Sequence, residues 1–305
     1  MIFKFEKKSL GFFSQFFFAM NIFIYCKKNN INFVIDSSDW LFSYKLGWED
    51  YFLNIDIYDK NIMDCIKFPG EIIEKYPIYE YKKYLWDIYK YNNNTKKKIN
   101  EKKQFLNILD NEYGSIFIRH GDKLFKESKL IDSILYIQLL LQKYPDCKKI
   151  FLQTDDYTCY EEINEFIQIN NLNIELFTLC DKKSRGVIVN NYNDISIINN
   201  IKIDKNKKYI EKNINYLKNN IKVIDMNPND IYNHTLEMII GIDIVLKSKI
   251  CILDFQSNVS RFIKLSHNNY ENVFDVNGIE IDLNKKMCPC YSESVYDDLN
   301  MFINS

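Results

Sequence analysis

The start of the chain alternates between short and long apolar segments. Residues 1–5 predict a strand, an apolar segment ending near Lys27 predicts a helix, and residues 32–35 predict a second strand. Because this helix is apolar on almost every side, we expect it to be buried. A strand, a buried helix and a second strand form a βαβ unit, which favours a parallel sheet covered on both faces.

The second half of the chain repeats this alternation more clearly. Strands are predicted at 115–118, 149–152, 174–179 and 249–253, and helices at 131–144, 157–169, 236–246 and 258–266. Apolar residues at helical spacing mark the first of these helices as amphipathic. The pattern predicts a doubly wound α/β unit, in which ligands bind beyond the carboxyl ends of the strands.

A change of composition separates the two halves. Residues 36–89 are irregular and aromatic, whereas residues 91–103 are polar and rich in Asn and Lys. The polar stretch fits either an interdomain linker or the solvated start of a helix. We place the boundary there, which gives a first lobe at 1–105, a second lobe at 106–275 and a tail at 276–305.

Composition and charge narrow the classes of protein. The chain has 305 residues, of which 47% are hydrophobic, enough for two modest domains with a sizeable core. The balance of 40 Lys and Arg against 41 Asp and Glu argues against a protein that coats nucleic acid. Eight scattered cysteines without a secretory signal are typical of reduced, cytosolic proteins. The most apolar stretch, residues 10–25, is shorter than the roughly 20 residues that span a bilayer, so we expect a soluble, cytoplasmic protein.

Polar clusters follow three predicted strands of the second lobe, and all three should open on the same edge of its sheet. They are 119–123 (RHGDK), 154–156 (TDD) and 254–258 (DFQSN). Loops after strands are often polar without a function, and such residues also cap helices. The clusters alone therefore leave a functional and a capping role equally open.

The first cluster suits a site for a leaving diphosphate. Arg119 is held at the end of a buried strand, and its planar fork fits bidentate contact with a phosphate. Gly121 permits close approach of the backbone to a ligand, and Lys123 adds a positive charge. Asp122 could hold Arg119 or Lys123 in place; the alternatives are a helix cap and a surface ion pair. Glu127 fits a general base, although by spacing alone a solvated carboxylate is the commoner case.

Motifs of other common sites are missing from the sequence. It has no GxGxxG, GxxxxGK[ST] or GxSxG, which excludes the common dinucleotide, P-loop and hydrolase sites. The three histidines are far apart, and Cys288 and Cys290 have no matching second pair, so we predict no metal site. Asp155 and Asp156 resemble the acidic pair with which some glycosyltransferases hold a metal, but they fit a helix cap at Tyr157 at least as well.

Five parts of the chain, taken in order, resemble the α-1,6-fucosyltransferases and their relatives, the protein O-fucosyltransferases and the rhizobial chitooligosaccharide fucosyltransferases. The parts are 11–15 (GFFSQ), 33–40 (FVIDSSDW) with 46–49 (LGWE), 118–123 (IRHGDK), 151–156 (FLQTDD) and 255–261 (FQSNVSR). The resemblance implies a GT-B-like α/β fold of two facing Rossmann-like lobes with a cleft between them. It also implies inverting, metal-independent transfer of fucose from GDP-fucose to a glycan or glycoprotein, with no cofactor.

The same resemblance implies roles for single residues. Arg119 matches the arginine that clamps the donor β-phosphate, and Lys123 and Glu127 match residues at the acceptor hydroxyl, with Glu127 as the base. Gly11 and Ser14 would approach the diphosphate through their backbone. The catalytic set is completed by Asp122, and the donor-binding set by His120, Asp155, Asp156, Asp243, Gln256, Ser257, Asn258 and Arg261.

The sequence departs from the family at the positions that bind the base. His120 replaces the second arginine of the motif and Phe117 its leading histidine. The family's acidic residue near Gly241 is unmatched, and Asp243 follows two residues later. Two alternatives therefore stay open: an inactive protein that binds a nucleotide sugar or glycan, and a transferase for another nucleotide sugar.

Overall fold

The first sheet lies in the N-terminal part of the chain and is parallel throughout. The computed structural model describes residues 1–5, 10–55, 65–67, 74–120, 131–184, 186, 223–286 and 288–289. Strand β1 (Ile2–Lys4) lies between β2 (Val34–Asp36) and β3 (Cys65–Lys67), in the order β2-β1-β3. Helix α1 (Phe12–Lys28) connects β1 to β2. The βαβ unit predicted from the sequence is therefore confirmed.

Helix α1 is buried on nearly all sides. Its buried residues run from Phe12 to Cys26 and include the polar side chains of Gln15 and Asn21. Each of these two amides donates a hydrogen bond inside the protein, Gln15 to the carbonyl of Leu10 and Asn21 to the hydroxyl of Tyr81. Within the described residues, no helix combines the length and apolarity required to cross a membrane.

Two helices follow the first sheet. Helix α2 (Ile78–Ile88) packs against α1, and α3 (Asn93–Phe105) occupies the polar stretch that fitted either a linker or a helix. The side chain of Asn92 accepts a hydrogen bond from the backbone of Thr95 and caps α3. Residues near the C-terminus return to this region, where the backbone N–H of Ile78 donates a hydrogen bond to the carbonyl of Lys285.

The second sheet has five parallel strands in the order β6-β5-β4-β7-β8. They are β4 (Gly114–Ile118), β5 (Lys149–Thr154), β6 (Glu175–Thr178), β7 (Ile250–Leu253) and β8 (Val273–Asp275). Helices cover this sheet: α4 (Ser133–Lys143), α5 (Tyr157–Ile169), α6 (Pro228–Leu246) and α7 (Asn258–Ser266). The predicted α/β class, with parallel sheets in both halves, is confirmed.

One apolar core joins the two sheets. It contains Phe13 and Phe16 of α1, Tyr89 after α2, and Phe262 of α7. The ring centroids of Phe13 and Phe262 are 4.5 Å apart, and those of Tyr89 and Phe262 are 4.6 Å apart. Packing of this kind fixes the position of α7, whose first turn carries part of the third polar cluster.

Candidate functional site

An ion pair holds the guanidinium of Arg119 just beyond the carboxyl end of β4. Its Nη1 lies 3.1 Å from Oδ2 of Asp155, the residue that follows β5. Oδ1 of the same carboxylate accepts a hydrogen bond of 2.8 Å from the backbone N–H of His120. Asp155 therefore fixes both the direction of the guanidinium and the backbone that follows it. The side chains are only 19% and 9% exposed, so solvent screens this pair weakly.

A pocket of about 140 Å³ opens beside this ion pair. Arg119 and Asp155 line it together with Cys180 after β6, Glu237 on α6 and Val259 on α7. The three strands are neighbours in the sheet, and the carboxyl ends of parallel strands meet at one edge. The structure thus brings Arg119 of the first polar cluster and Asp155 of the second to one edge, as the sequence predicts.

Two lining residues of α6, His234 and Glu237, were missed by the sequence reasoning. Burial and the positive charge of Arg119 lower the pKa of His234, against the opposing effect of Asp155, so its imidazole is close to the guanidinium. Residues 234, 237, 238 and 241 recur at helical spacing, which was the available signal for one shared face.

Close packing of α6 on the second sheet depends on Gly241. A Cβ atom at Gly241 would lie 2.0 Å from the side-chain oxygen of Gln153 on β5, so a larger residue would displace that side chain. Gln153 itself lines the pocket, and so does Met238 on the same helix. The glycine therefore sets the distance between α6 and the sheet at the pocket.

The third cluster contacts the first half of the chain. Nδ2 of Asn258 donates a hydrogen bond of 2.6 Å to Oγ of Ser14, in the first turn of α1. Arg261 in turn donates to Oδ1 of Asn258, at 2.6 Å, and to the carbonyl of Phe255, at 3.1 Å. Three of the predicted donor-binding residues are thus brought together, with the buried Arg261 supporting the loop from inside.

The N-termini of α1 and α7 meet at this bridge. Ser257 caps α7 by accepting a hydrogen bond from the backbone of Ser260, and Gly11 precedes α1 without a side-chain cap. Among the described residues other than its two chain neighbours, no atom lies within 4 Å of where a Cβ of Gly11 would be. The buried Gln256 donates its backbone N–H to Oδ1 of Asp254. Backbone N–H groups at a helix start favour anions.

His120 and Asp156 are placed inside the protein. Nδ1 of His120 lies 3.1 Å from Oδ2 of Asp156 and 3.5 Å from Sγ of Cys159. The other carboxylate oxygen of Asp156 accepts a hydrogen bond from the backbone of Thr158 and so caps α5, as one sequence interpretation proposed. The side chains of both residues are almost completely buried. Their role in donor binding stays a prediction.

Asp243 is not brought to the pocket. Its carboxylate is buried on another face of α6, with Oδ2 3.2 Å from Nζ of Lys103 and 3.7 Å from Nζ of Lys247. Positions two residues apart in a helix are rotated by about 200° around its axis, so Gly241 and Asp243 face nearly opposite directions. Gly121 and the catalytic candidates Asp122, Lys123 and Glu127 lie outside the described residues, and their roles stay predictions.

Comparisons with known proteins give a similarity of fold only. The sequence matches no protein-family model and no curated protein. Among solved structures, it is similar to two crystal structures of the fucosyltransferase NodZ from Bradyrhizobium. Sequence identity is 11% and 12%, the TM-scores are 0.45 and 0.44, and the alignments cover 87% of this chain and 91% and 92% of the NodZ chains. Similarity at this level carries no argument about activity.

Proposed function

We propose that the chain is a glycosyltransferase that binds a nucleotide diphosphate sugar at the pocket beside Arg119. The observation that carries the proposal is the guanidinium of Arg119, held by Asp155 at the edge where parallel sheets bind ligands. An arginine has five donors in a planar fork, so an ion pair with one carboxylate is compatible with phosphate contact.

The proposed reaction is an inverting displacement that needs no metal for its chemistry. A hydroxyl of the glycan acceptor attacks the anomeric carbon from the side opposite the diphosphate. The bond from that carbon to the diphosphate oxygen breaks as the glycosidic bond forms, and Glu127 takes the hydroxyl proton. Arg119 stabilises the negative charge that develops on the leaving diphosphate, a contribution that typically accounts for about 10²–10³ in rate.

The bridge between Ser14 and Asn258 supports a second contact with the diphosphate. It joins the N-termini of α1 and α7, and Val259 in the first turn of α7 lines the pocket. Backbone N–H groups at the start of α7 are therefore close to the place where Arg119 would hold one phosphate, and the bridge holds the start of α1 beside that helix. Gly11 adds no side chain that would obstruct an approach.

We propose guanine as the base and fucose as the sugar of the donor. Fucose rests on the sequence resemblance. Guanine is supported by Glu237, a carboxylate in the pocket one helical turn before Gly241, near the position where the family has its acidic residue. A carboxylate accepts hydrogen bonds, and guanine offers N–H donors on its Watson–Crick edge.

The second candidate is a protein that binds a nucleotide sugar without transferring it. The observation that favours it is the burial of His120 against Asp156 and Cys159, since the second cation of the family motif is then turned into the protein. Such a protein would bind the donor through Arg119 and Glu237 but show no turnover with any acceptor.

Binding of the donor is tested by thermal shift with a panel of nucleoside diphosphates and their sugars. Ligands that bind the native state raise Tm, more so for tighter ligands. We expect the largest shift for GDP and GDP-fucose, and we expect Glu237→Gln to reduce that preference over ADP and UDP. An equal response to every base would contradict the assignment of Glu237.

Catalysis is tested by Arg119→Ala in a transfer assay with a panel of glycan acceptors. We expect kcat to fall about 10²–10³-fold because the leaving diphosphate loses its cation. Lys149→Ala is the control, since Lys149 begins β5 at the opposite edge of the same sheet. Transfer at the wild-type rate in Arg119→Ala would reject the mechanism, whereas donor binding without turnover in the wild type would select the second candidate.

A further inference from the structure

Three buried side chains converge behind Arg119. They are His120 at the end of β4, Asp156 at the start of α5 and Cys159 in its first turn, with exposures of 4%, 1% and 0%. Nδ1 of His120 lies 3.1 Å from Oδ2 of Asp156 and 3.5 Å from Sγ of Cys159, and all three atoms lie within 4.8 Å of one another. We call these side chains the His-Asp-Cys cluster.

The three side chains come from two separate elements and point at one another. Nδ1 of His120, which follows β4, faces both the carboxylate of Asp156 and the sulfur of Cys159 on α5. Imidazole, carboxylate and thiolate are all ligand types of transition-metal ions. The cluster therefore gathers three ligands of a metal ion in a buried place.

We propose that the His-Asp-Cys cluster binds a zinc ion. Zinc prefers imidazole, thiolate and carboxylate ligands, with bonds of about 2.0–2.3 Å in a tetrahedral arrangement. Two such ligands lie about 3.3–3.6 Å apart, close to the two separations measured from Nδ1. The charges also balance, because a divalent ion with one thiolate and one carboxylate is neutral, as burial requires.

Three protein ligands leave the fourth position of a tetrahedral zinc to a water molecule. The ion would join the chain after β4 to the start of α5. It would thereby hold the backbone next to Arg119, whether or not the chain transfers a sugar.

Metal content is the first test. Tag-free protein, purified without chelators from zinc-containing medium, should hold about one zinc per chain by plasma mass spectrometry. Removing the metal with a chelator should lower Tm by a few degrees, and adding zinc alone should restore it. Cobalt added to the metal-free chain should give the near-ultraviolet absorption of a cobalt–thiolate bond.

Cys159→Ala is the matching variant, and Cys251→Ala is its control. Both cysteines are fully buried in the second half of the chain, but Cys251 lies within β7 and outside the His-Asp-Cys cluster. We expect Cys159→Ala to weaken zinc binding by about 100-fold or more and to abolish the cobalt–thiolate band. Cys251→Ala should keep both.

Two results would overturn the proposal. One is a wild-type chain without zinc whose Tm does not respond to added zinc, which would leave a protonated His120 hydrogen-bonded to Asp156. The other is zinc binding of equal affinity in Cys159→Ala and the wild type. If Cys159→Ala does not fold, the chelator and cobalt measurements on the wild type decide alone.

Discussion

Asp254 is a partly buried acid that the proposed reaction does not use. It follows β7, and its carboxylate is near Asp275 at the end of β8, Arg261 on α7 and Tyr136 on α4. Burial, and next the charge of Asp275, raise the pKa of Asp254 to about 7. The folded state therefore binds this proton at a pH where the unfolded chain, with an ordinary aspartate pKa of about 4, has released it.

The raised pKa predicts a stability that falls as pH rises from about 4 to about 7. The slope from Asp254 should approach about 1.4 kcal/mol per pH unit, because the folded state holds one more proton across this interval. Asp254→Asn should reduce the slope and stabilise the protein at pH 7, as measured by urea unfolding at several pH values. Asp146→Asn, at an exposed position, should leave the slope unchanged. A wild-type slope in Asp254→Asn would contradict the prediction.

At the residue scale, sequence reasoning singled out Arg119, which lines the pocket, but not the helix residues around it. Arg119 was identifiable because it directly follows the apolar residues of a predicted strand. Asp155 was identifiable because it follows the next predicted strand along the chain. His234 and Glu237 were not, because helical spacing places them on one face of α6 but does not show what that face meets. The His-Asp-Cys cluster was missed for a similar reason, since His120 and Cys159 are distant in sequence and meet only through the parallel pairing of β4 with β5.

At the element scale, the start of a 3₁₀ helix (Gly47–Asp50) depends on glycine. Gly47 has φ of +67°, in the left-handed region, and a Cβ there would lie 2.2 Å from Oγ of Ser37 and 2.8 Å from its carbonyl oxygen. That hydroxyl accepts a hydrogen bond of 2.8 Å from the backbone of Trp48. The contact leaves no space for a side chain at this position.

Gly47→Ala should destabilise the protein by about 2 kcal/mol or more, because backbone strain adds to a collision with a backbone oxygen. Gly278→Ala is the control. Gly278 also has a positive φ, of +78°, but in the part of the chain that the structure describes nothing beyond its two neighbours lies within 4 Å of its added Cβ, so this change should cost only the backbone strain of about 1 kcal/mol. Equal destabilisation in the two variants, measured by urea unfolding, would show that the collision is absent.

Most elements of the second half were predictable, with errors at the polar ends. Helix α5 begins and ends as the sequence predicted, whereas α6 begins eight residues before the predicted start at Leu236. Its true start has clear signals. The side chain of Asn227 caps the helix by accepting a hydrogen bond from the backbone N–H of Asp230, and Pro228 occupies the first turn. The first turns of α6 are polar, so a search for apolar spacing found only its buried part.

At the scale of the whole molecule, the two sheets depend on one core. Phe262 of α7 is fully buried, and its ring lies 4.5 Å from that of Phe13 and 5.4 Å from that of Phe16, measured between centroids. Both of these rings belong to α1. Stability of the first sheet is therefore coupled to a helix that packs on the second. The predicted boundary near residue 105 stays a prediction.

Phe262→Ala should cost about 3–5 kcal/mol, as expected for a buried phenylalanine whose cavity cannot collapse. Phe105→Ala is the matched control, because Phe105 is 82% exposed and should change stability by less than about 0.5 kcal/mol. The measurement is urea unfolding followed by tryptophan fluorescence, which reports on Trp40 and Trp48 in the first half. A small loss of stability in Phe262→Ala would show that the core is not shared.

The sequence by itself determined the class of the fold and the edge of the sheet where the polar residues after the strands gather. Period and apolarity are local properties, so they fix strands, a buried helix and the polar residues that follow each strand. Only the tertiary structure decided which distant residues meet: Ser14 with Asn258, His120 with Cys159, and Glu237 with the pocket of Arg119. These contacts arise from strand order and helix packing, which depend on the whole chain and leave no mark at any one position.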